Sequence, residues 1–250
     1  MIQTAMPGMD AILAEVMRRR PSGEGAPFVV GVAGSVAVGK SAFARALGEA
    51  IAASEGEPRV EIISTDGFLF TNQVLAERDL RKRKGFPESF DVETLRAAVR
   101  AIRRGERVEV PLYSHVVYDV DRGNVQVVED ADVVILDGLH LAQIEQPGEP
   151  RLIDCLIYLD AEETTIEAWF TQRLLPMMVA GVDDPKSFYH AYRHLDAPAR
   201  LDFAARVWAS INLPNLRDHI VADRAAADII LTKASDHSVA ALDAGPRSAA

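Results

Sequence analysis

From position 28 the chain runs Phe-Val-Val-Gly-Val-Ala without a polar residue, and from residue 39 to 53 its apolar positions recur at helical spacing. The first pattern is that of a strand covered on both faces, the second that of a helix with one buried side. The same two patterns predict further strands at 59–63, 132–136, 154–159 and 228–231, and further helices at 91–103, 161–180 and 198–212. Val133-Val134-Ile135-Leu136 and Leu156-Ile157-Tyr158-Leu159 show no alternation, which places both strands in the middle of the sheet. Strands alternating with helices imply crossover connections, so the expected class is α/β, a mainly parallel sheet flanked by helices. Ahead of this region, residues 9–20 read as a short amphipathic helix and Pro21 to Pro27 as a linker. Beyond residue 234 the chain turns rich in Ala, Ser and Asp, and its last residues, AGPRSAA, are expected to be disordered. The expected organisation is an N-terminal helix and linker over 1–27, one large domain over 28–234, and a C-terminal segment over 235–250.

The junction between the first strand and the first helix reads Gly34-Ser35-Val36-Ala37-Val38-Gly39-Lys40-Ser41-Ala42, which fits G-x-x-x-x-G-K-[ST]. Glycines let backbone N–H groups turn toward a phosphate, and the helix that follows adds its positive end. Lys40 would reach the outer phosphates and the Ser41 hydroxyl would ligate Mg²⁺. A chance glycine-rich turn is the alternative, and the complete motif between strand and helix favours the phosphate loop of a P-loop NTPase.

Two more strands run into a carboxylate followed by glycine, at Asp66-Gly67 and Asp137-Gly138. Acids at the C-terminal ends of strands lie on the rim where α/β proteins bind ligands. Asp66 could take a proton from an attacking alcohol or hold the metal, and Asp137 stands where a Walker B acid would bind Mg²⁺. The alternative for each is a plain Asp-Gly turn. Arg173, within the helical stretch 161–180, could neutralise a migrating phosphoryl group from a lid helix, or be a surface arginine. The run Arg81-Lys82-Arg83-Lys84 reads as a solvated face. No D-x-x-G switch occurs and Thr232-Lys233-Ala234-Ser235-Asp236 is one residue too long for a T-K-x-D base reader, which argues against a GTPase.

Charge narrows the partners. With 27 Lys and Arg against 37 Asp and Glu the net charge is −10, which opposes a general attraction to nucleic acid or anionic lipid. Any anion site must therefore be local. The single cysteine, Cys155, lies in an apolar run and reads as a packing residue. The N-terminal stretch carries Asp10 and Glu15 inside its apolar part and its arginines at the end, the wrong order for a secretory signal. No apolar run approaches the roughly 20 residues that span a bilayer. A cytoplasmic protein is expected.

The segments "GVAGSVAVGKSAFARAL", "ISTDGFLFTNQVLAERDLRKRKGFPESFD", "PLYSHVVYDV", "ILDGLH", "SINLPNLRDHIVADRAAADIILTK" and "DHSVAAL" together resemble the bacterial type I pantothenate kinases, from about Phe28 to about Leu242. The TDGF, GFPES and YSH segments are more specific than the phosphate loop. The resemblance implies ATP-phosphate binding by the loop ending in Lys40 and Ser41, with Asp66 as the catalytic carboxylate. It implies that Tyr113, His115, Arg173 and Asn212 contact pantothenate and that Lys233 and His237 lie near the adenine. It also implies that coenzyme A competes with ATP by touching Arg45, His115 and the loop, and that the protein is a homodimer. This chain departs from the family pattern at Phe170, where a tyrosine is usual, and at Leu174 and Met177, where aromatics are usual. Asp137 replaces a glutamate, His140 an asparagine, and most of the family's longer N-terminal extension is missing.

The function expected from these residues is ATP- and Mg²⁺-dependent phosphorylation of a small primary alcohol, most simply pantothenate. The fold expected is a P-loop kinase with a helical lid. Lys40 and Arg173 would balance the transferring charge, Asp66 would act on the alcohol, and Phe170, Leu174 and Met177 would supply apolar contact. A related kinase for uridine or a sugar phosphate, and a nucleotide-binding regulator without catalysis, are the alternatives.

Overall fold

The computed structural model describes residues 8–21 and 25–249. Residues 22–24 of the expected linker lie outside the described residues. Five strands form a parallel sheet: β1 (Phe28–Gly34), β2 (Val60–Ser64), β5 (Val133–Asp137), β6 (Cys155–Asp160) and β7 (Ile229–Lys233), in the order β2-β5-β1-β6-β7. β1 and β5 are buried at every position, as unbroken apolar runs require. Register then fixes the site. Asp137 pairs with Val32 on one side and Ser64 on the other, so the ends of β1, β2 and β5 meet at one edge of the sheet.

Helices cover the faces. α1 (Met9–Met17) buries Met9, Ile12 and Val16 and packs on α2 (Lys40–Ala52), which turns Phe43, Leu47 and Ile51 inward. α3 (Asn72–Glu77) is a short helix capped by the Thr71 hydroxyl. α4 (Val92–Arg103) starts at an Asp91 side chain that accepts from the Thr94 N–H, a cap that satisfies an otherwise unpaired donor. α5 (Glu163–Ala180) carries Arg173. Cys155 is buried, its thiol pushed up to about 12 by that burial, in keeping with a packing role.

The structure differs from the sequence reading in four places. A two-stranded antiparallel hairpin, β3 (Val108–Ser114) and β4 (Asp119–Val128), stands outside the main sheet. Its alternation is obscured by Pro111 and by a register shift between Pro111 and Leu112. The helix expected at 198–212 is longer: α6 (Ala197–Val207) continues through a π-helical turn at Trp208–Asn212, α7 (Leu213–Asn215), a second π turn at Leu216–Ile220 and α8 (Val221–Ala225). Pro214 lacks a donor N–H, and the wider turns on both sides absorb that misfit. The C-terminal segment contains a strand that was not expected: β8 (Val239–Ala244) pairs antiparallel with β7, and the Arg247 guanidinium donates to the Ile153 carbonyl at 2.9 Å. Finally, Arg81 and Lys82 are exposed as expected, but Lys84 is turned inward. Among the described residues no helix is long and apolar enough to cross a membrane.

Candidate active site

The loop after β1 turns tightly enough to need a left-handed backbone at Gly39 (φ 94°), the residue before α2. Ala37 adopts φ 64°, a conformation that costs a residue with a Cβ about 1 kcal/mol or more. Lys40 Nζ donates to the Ser35 carbonyl at 2.9 Å, and Lys233 Nζ donates to the Val38 carbonyl at 2.8 Å. The loop is thus braced from β7 as well as from its own helix. Burial pulls the Lys40 ammonium below its ordinary range, while Asp137 and Asp66 act in the opposite direction. Burial pushes the Asp66 carboxyl up, and Lys40 and His115 oppose that shift.

Asp66 sits in a 3-10 turn, Thr65–Phe68, that closes β2. The glycines beside the two acids are there for close approach. A Cβ on Gly67 would lie 1.9 Å from the Pro111 carbonyl of β3, and one on Gly138 would lie 1.6 Å from Thr65 Oγ1. Both contacts press separate segments together around the two carboxylates.

One cleft gathers the expected residues. Lys40, Ser41, Asp66 and Asp137 line it from the sheet edge. Tyr113 and His115 line it from the hairpin, and Phe170, Arg173, Leu174 and Met177 from α5. Asn212 and Val36 complete that set, with Asn212 Nδ2 buried and without a hydrogen-bond partner among the described residues. Ala37, Gly39, Ala42 and Arg45 line an adjoining cavity beside Lys40 and His115. Gly34, Ser35 and Val38 belong to the body of the loop and line neither space. Lys233 and His237 stand apart, against Trp169: the His237 ring stacks on it at 4.1 Å and Lys233 Nζ lies 5.4 Å from its centroid.

The sequence reading missed Lys84, Gly85, Tyr118 and Asn215, all of which line the cleft. Lys84 Nζ donates to Asn72 Oδ1 at 2.7 Å and to the Tyr118 carbonyl at 2.5 Å, and lies 5.1 Å and 4.6 Å from the Tyr113 and Tyr118 rings. Burial pulls it down to about 8. Its place in a basic run hid it. Tyr118, five residues beyond Tyr113, stood in the quoted hairpin segment but carried no assigned role.

Ser41 and Asp137 offer the hydroxyl and carboxylate oxygens that suit Mg²⁺ when phosphates and water complete its shell. Among the described residues no three His, Cys, Asp or Glu side chains cluster as metal ligands. A phosphate loop, carboxylates at two strand ends and an arginine on a covering helix, around a cleft with its own hydrogen-bonding wall, define a P-loop kinase of small molecules.

Residues 29–175 match the model of the phosphoribulokinase/uridine kinase family. A pantothenate kinase of Brucella ovis is 41% identical over 222 residues, covering 85% of this chain and 69% of that protein, and one of Brucella abortus is 40% identical over the same length. Among solved structures, a candidate fructose transport system kinase from Silicibacter sp. TM1040 superposes with a TM-score of 0.71 at 27% identity, over 90% of this chain and 98% of that one. D-glycerate 3-kinase from Cryptococcus neoformans shares the fold, with a TM-score of 0.59 at 14% identity, over 95% and 98% of the two chains. The chain belongs to the phosphoribulokinase/uridine kinase family, among its pantothenate kinases.

Proposed function

We propose that this protein transfers the γ-phosphoryl group of ATP to the primary hydroxyl of pantothenate, the opening step of coenzyme A synthesis. The observation that carries the reading is the set of charges one cleft gathers: Asp66 for the hydroxyl, Lys40 and Arg173 for the phosphoryl group, and a further cation, Lys84, for a carboxylate. In the same cleft Tyr113, His115 and Asn212 offer neutral partners to an amide, and Phe170, Leu174 and Met177 offer apolar contact to methylenes. Pantothenate carries a primary hydroxyl, an amide and a carboxylate, the three kinds of group this lining suits.

In the reaction Asp66 accepts the hydroxyl proton as the new O–P bond forms and the bond to the β-phosphate breaks. Its raised pKa favours taking up that proton. Lys40 and Arg173 face the charge as it moves to the leaving ADP. Ser41 and Asp137 would hold Mg²⁺, which would supply positive charge against that of the phosphates. Residues 34–42 would cradle the phosphates, with Lys233 and His237 on the adenine side. Coenzyme A would compete through its own phosphates at Arg45 and His115, both on the adjoining cavity. A homodimer working in the cytoplasm completes the reading.

The test is ATP consumption over a panel of pantothenate, pantetheine, uridine, cytidine, glycerate, fructose and ribulose 5-phosphate. Pantothenate is expected to have the highest kcat/KM. Another acceptor ahead by more than about 100-fold, a gap of about 2.7 kcal/mol, would replace it.

A further inference from the structure

Gly85 follows Lys84 in the wall of the cleft, and its backbone is left-handed at φ 91°. Its carbonyl accepts two hydrogen bonds from distant parts of the chain. His140 Nε2 lies 2.8 Å from it, and Asn215 Nδ2 donates to it at 2.7 Å. A carbonyl only accepts, so His140 carries its proton on Nε2. The Gly85 N–H is also fixed, donating to Ser89 Oγ at 2.9 Å. Gly85, the neighbour of Lys84, is therefore held at both of its peptides: its carbonyl from the loop after β5 and from the helix between the two π turns, its N–H from its own turn.

His140 is itself held. It is 4% exposed, packs edge-on against Phe90 and His219, and has a left-handed backbone at φ 56°. The turn it opens, Leu141–Ile144, is capped by Asp223 of α8, whose carboxylate accepts from the Ala142 N–H at 2.8 Å. From the other side Arg96 of α4 donates to the carbonyls of Ile144 and Gln143 at 2.8 Å and 3.0 Å. Burial keeps the His140 ring uncharged by pulling it down to about 4, so its donor form persists through neutral pH.

The consequence lies at Lys84. An ammonium has three N–H donors, and Asn72 and the Tyr118 carbonyl use two. One is left for the cleft. We infer that His140, seated by Asp223, is a positioning residue for the acceptor: it fixes the Gly85 carbonyl and thereby aims Lys84 at the acceptor's anionic end. This rests on reading the cleft as the acceptor site, and it makes no demand on the phosphate loop.

The experiment measures KM and kcat for acceptor and for ATP in His140→Leu and His140→Gln, using whichever acceptor the wild type turns over best in the panel above. Should that acceptor not be pantothenate, the substrate reading falls and the positioning test still runs. His140→Leu should raise the acceptor KM roughly 2- to 13-fold, the range for one neutral hydrogen bond, with the ATP KM within about twofold. His140→Gln, whose amide N–H reaches as far, should recover most of the loss. In a Lys84→Met background His140→Leu should add nothing further, because its effect passes through Lys84. Parallel increases in both KM values, no rescue by glutamine, or full additivity with Lys84→Met would each overturn the inference. Should His140→Leu fail to fold, Asn215→Leu removes the other donor and faces the same three criteria.

Discussion

Replacing Lys84 by Met removes the ammonium and keeps a stem long enough to lie beside the rings of Tyr113 and Tyr118, from which Nζ is 5.1 Å and 4.6 Å away. What is lost is one charge-assisted hydrogen bond to the acceptor, about 1.5–3 kcal/mol, equivalent to roughly 13- to 160-fold in kcat/KM for pantothenate. The loss belongs in KM, because the carboxylate end is bound equally in ground and transition states. ATP should be unaffected. The wild type should also lose acceptor affinity as pH rises through about 8, where the free enzyme's Lys84 gives up its charge, and Lys84→Met should show no such step. The assay is a coupled ADP-release measurement between pH 6.5 and 9.5 with pantothenate and with its alcohol analogue, in which the carboxylate is replaced by CH₂OH. Wild type and variant should differ on the acid and converge on the alcohol. An equal drop on both substrates would mean that Lys84 only supports the hairpin, and no drop on either would remove it from the site.

Lys40→Ala should lower kcat by at least about 10²-fold with the fold intact by circular dichroism, since its charge matters most as the phosphoryl group moves. Asp66→Asn should cut kcat by roughly 10²- to 10⁴-fold while ATP affinity, followed by calorimetry, holds; a collapse of ATP affinity would make Asp66 a metal ligand and leave Asp137 as the candidate base. Phe170→Tyr should lower the pantothenate KM by roughly 2- to 13-fold with kcat little altered, by restoring one hydroxyl to the apolar wall. Asp223 is raised by burial from 3.8 to about 6, with Lys40 and the N–H groups of 140–142 facing it. A carboxyl raised in the fold favours folding while protonated, so its contribution falls as pH rises from about 4 to about 6, by about 3 kcal/mol in all. Urea unfolding of Asp223→Asn should gain on the wild type by about that amount across this window, and parallel pH curves would show that the carboxylate is paired in a way that offsets its burial.

The sheet and the phosphate loop were legible because their signals are local: an apolar run for each strand, and a spacing of glycine, lysine and serine that one turn and one helix satisfy. The two acids were found by the same rule. The need for their glycines was not legible, because it comes from Pro111 and Thr65, which press on Gly67 and Gly138 from elsewhere in the chain. Lys84 was hidden for a related reason. Nothing in Arg81-Lys82-Arg83-Lys84 says which cation turns inward, since that is decided by Asn72 and Tyr118, outside the run. The hairpin was lost to Pro111 and a register shift, and β8 to a short alanine-rich stretch with little strand preference of its own, which pairs along the edge of β7.

The division between what was legible and what was not follows the division of labour in the site. Asp137 is placed by the register of β1, β2 and β5, and Lys40 and Ser41 by the start of α2 after the loop that leaves β1. Tyr113, Lys84, Arg173 and Asn212 come from a hairpin, a loop, a covering helix and a π turn, none of which the sheet requires. Changes there leave β1 and β5 packed as before, and they cost the fold little because those elements contribute few of its fully buried side chains. The acceptor can therefore change while the phosphate half stays put. Of the departures, Phe170, Leu174 and Met177 line the cleft from α5 and His140 holds the carbonyl of Gly85, the neighbour of Lys84, while Asp137 alone falls at the sheet end and keeps its carboxylate. On the proposed reading of the cleft, substitutions in its covering elements should move the acceptor KM without moving that for ATP, and equal shifts in both would refute the division.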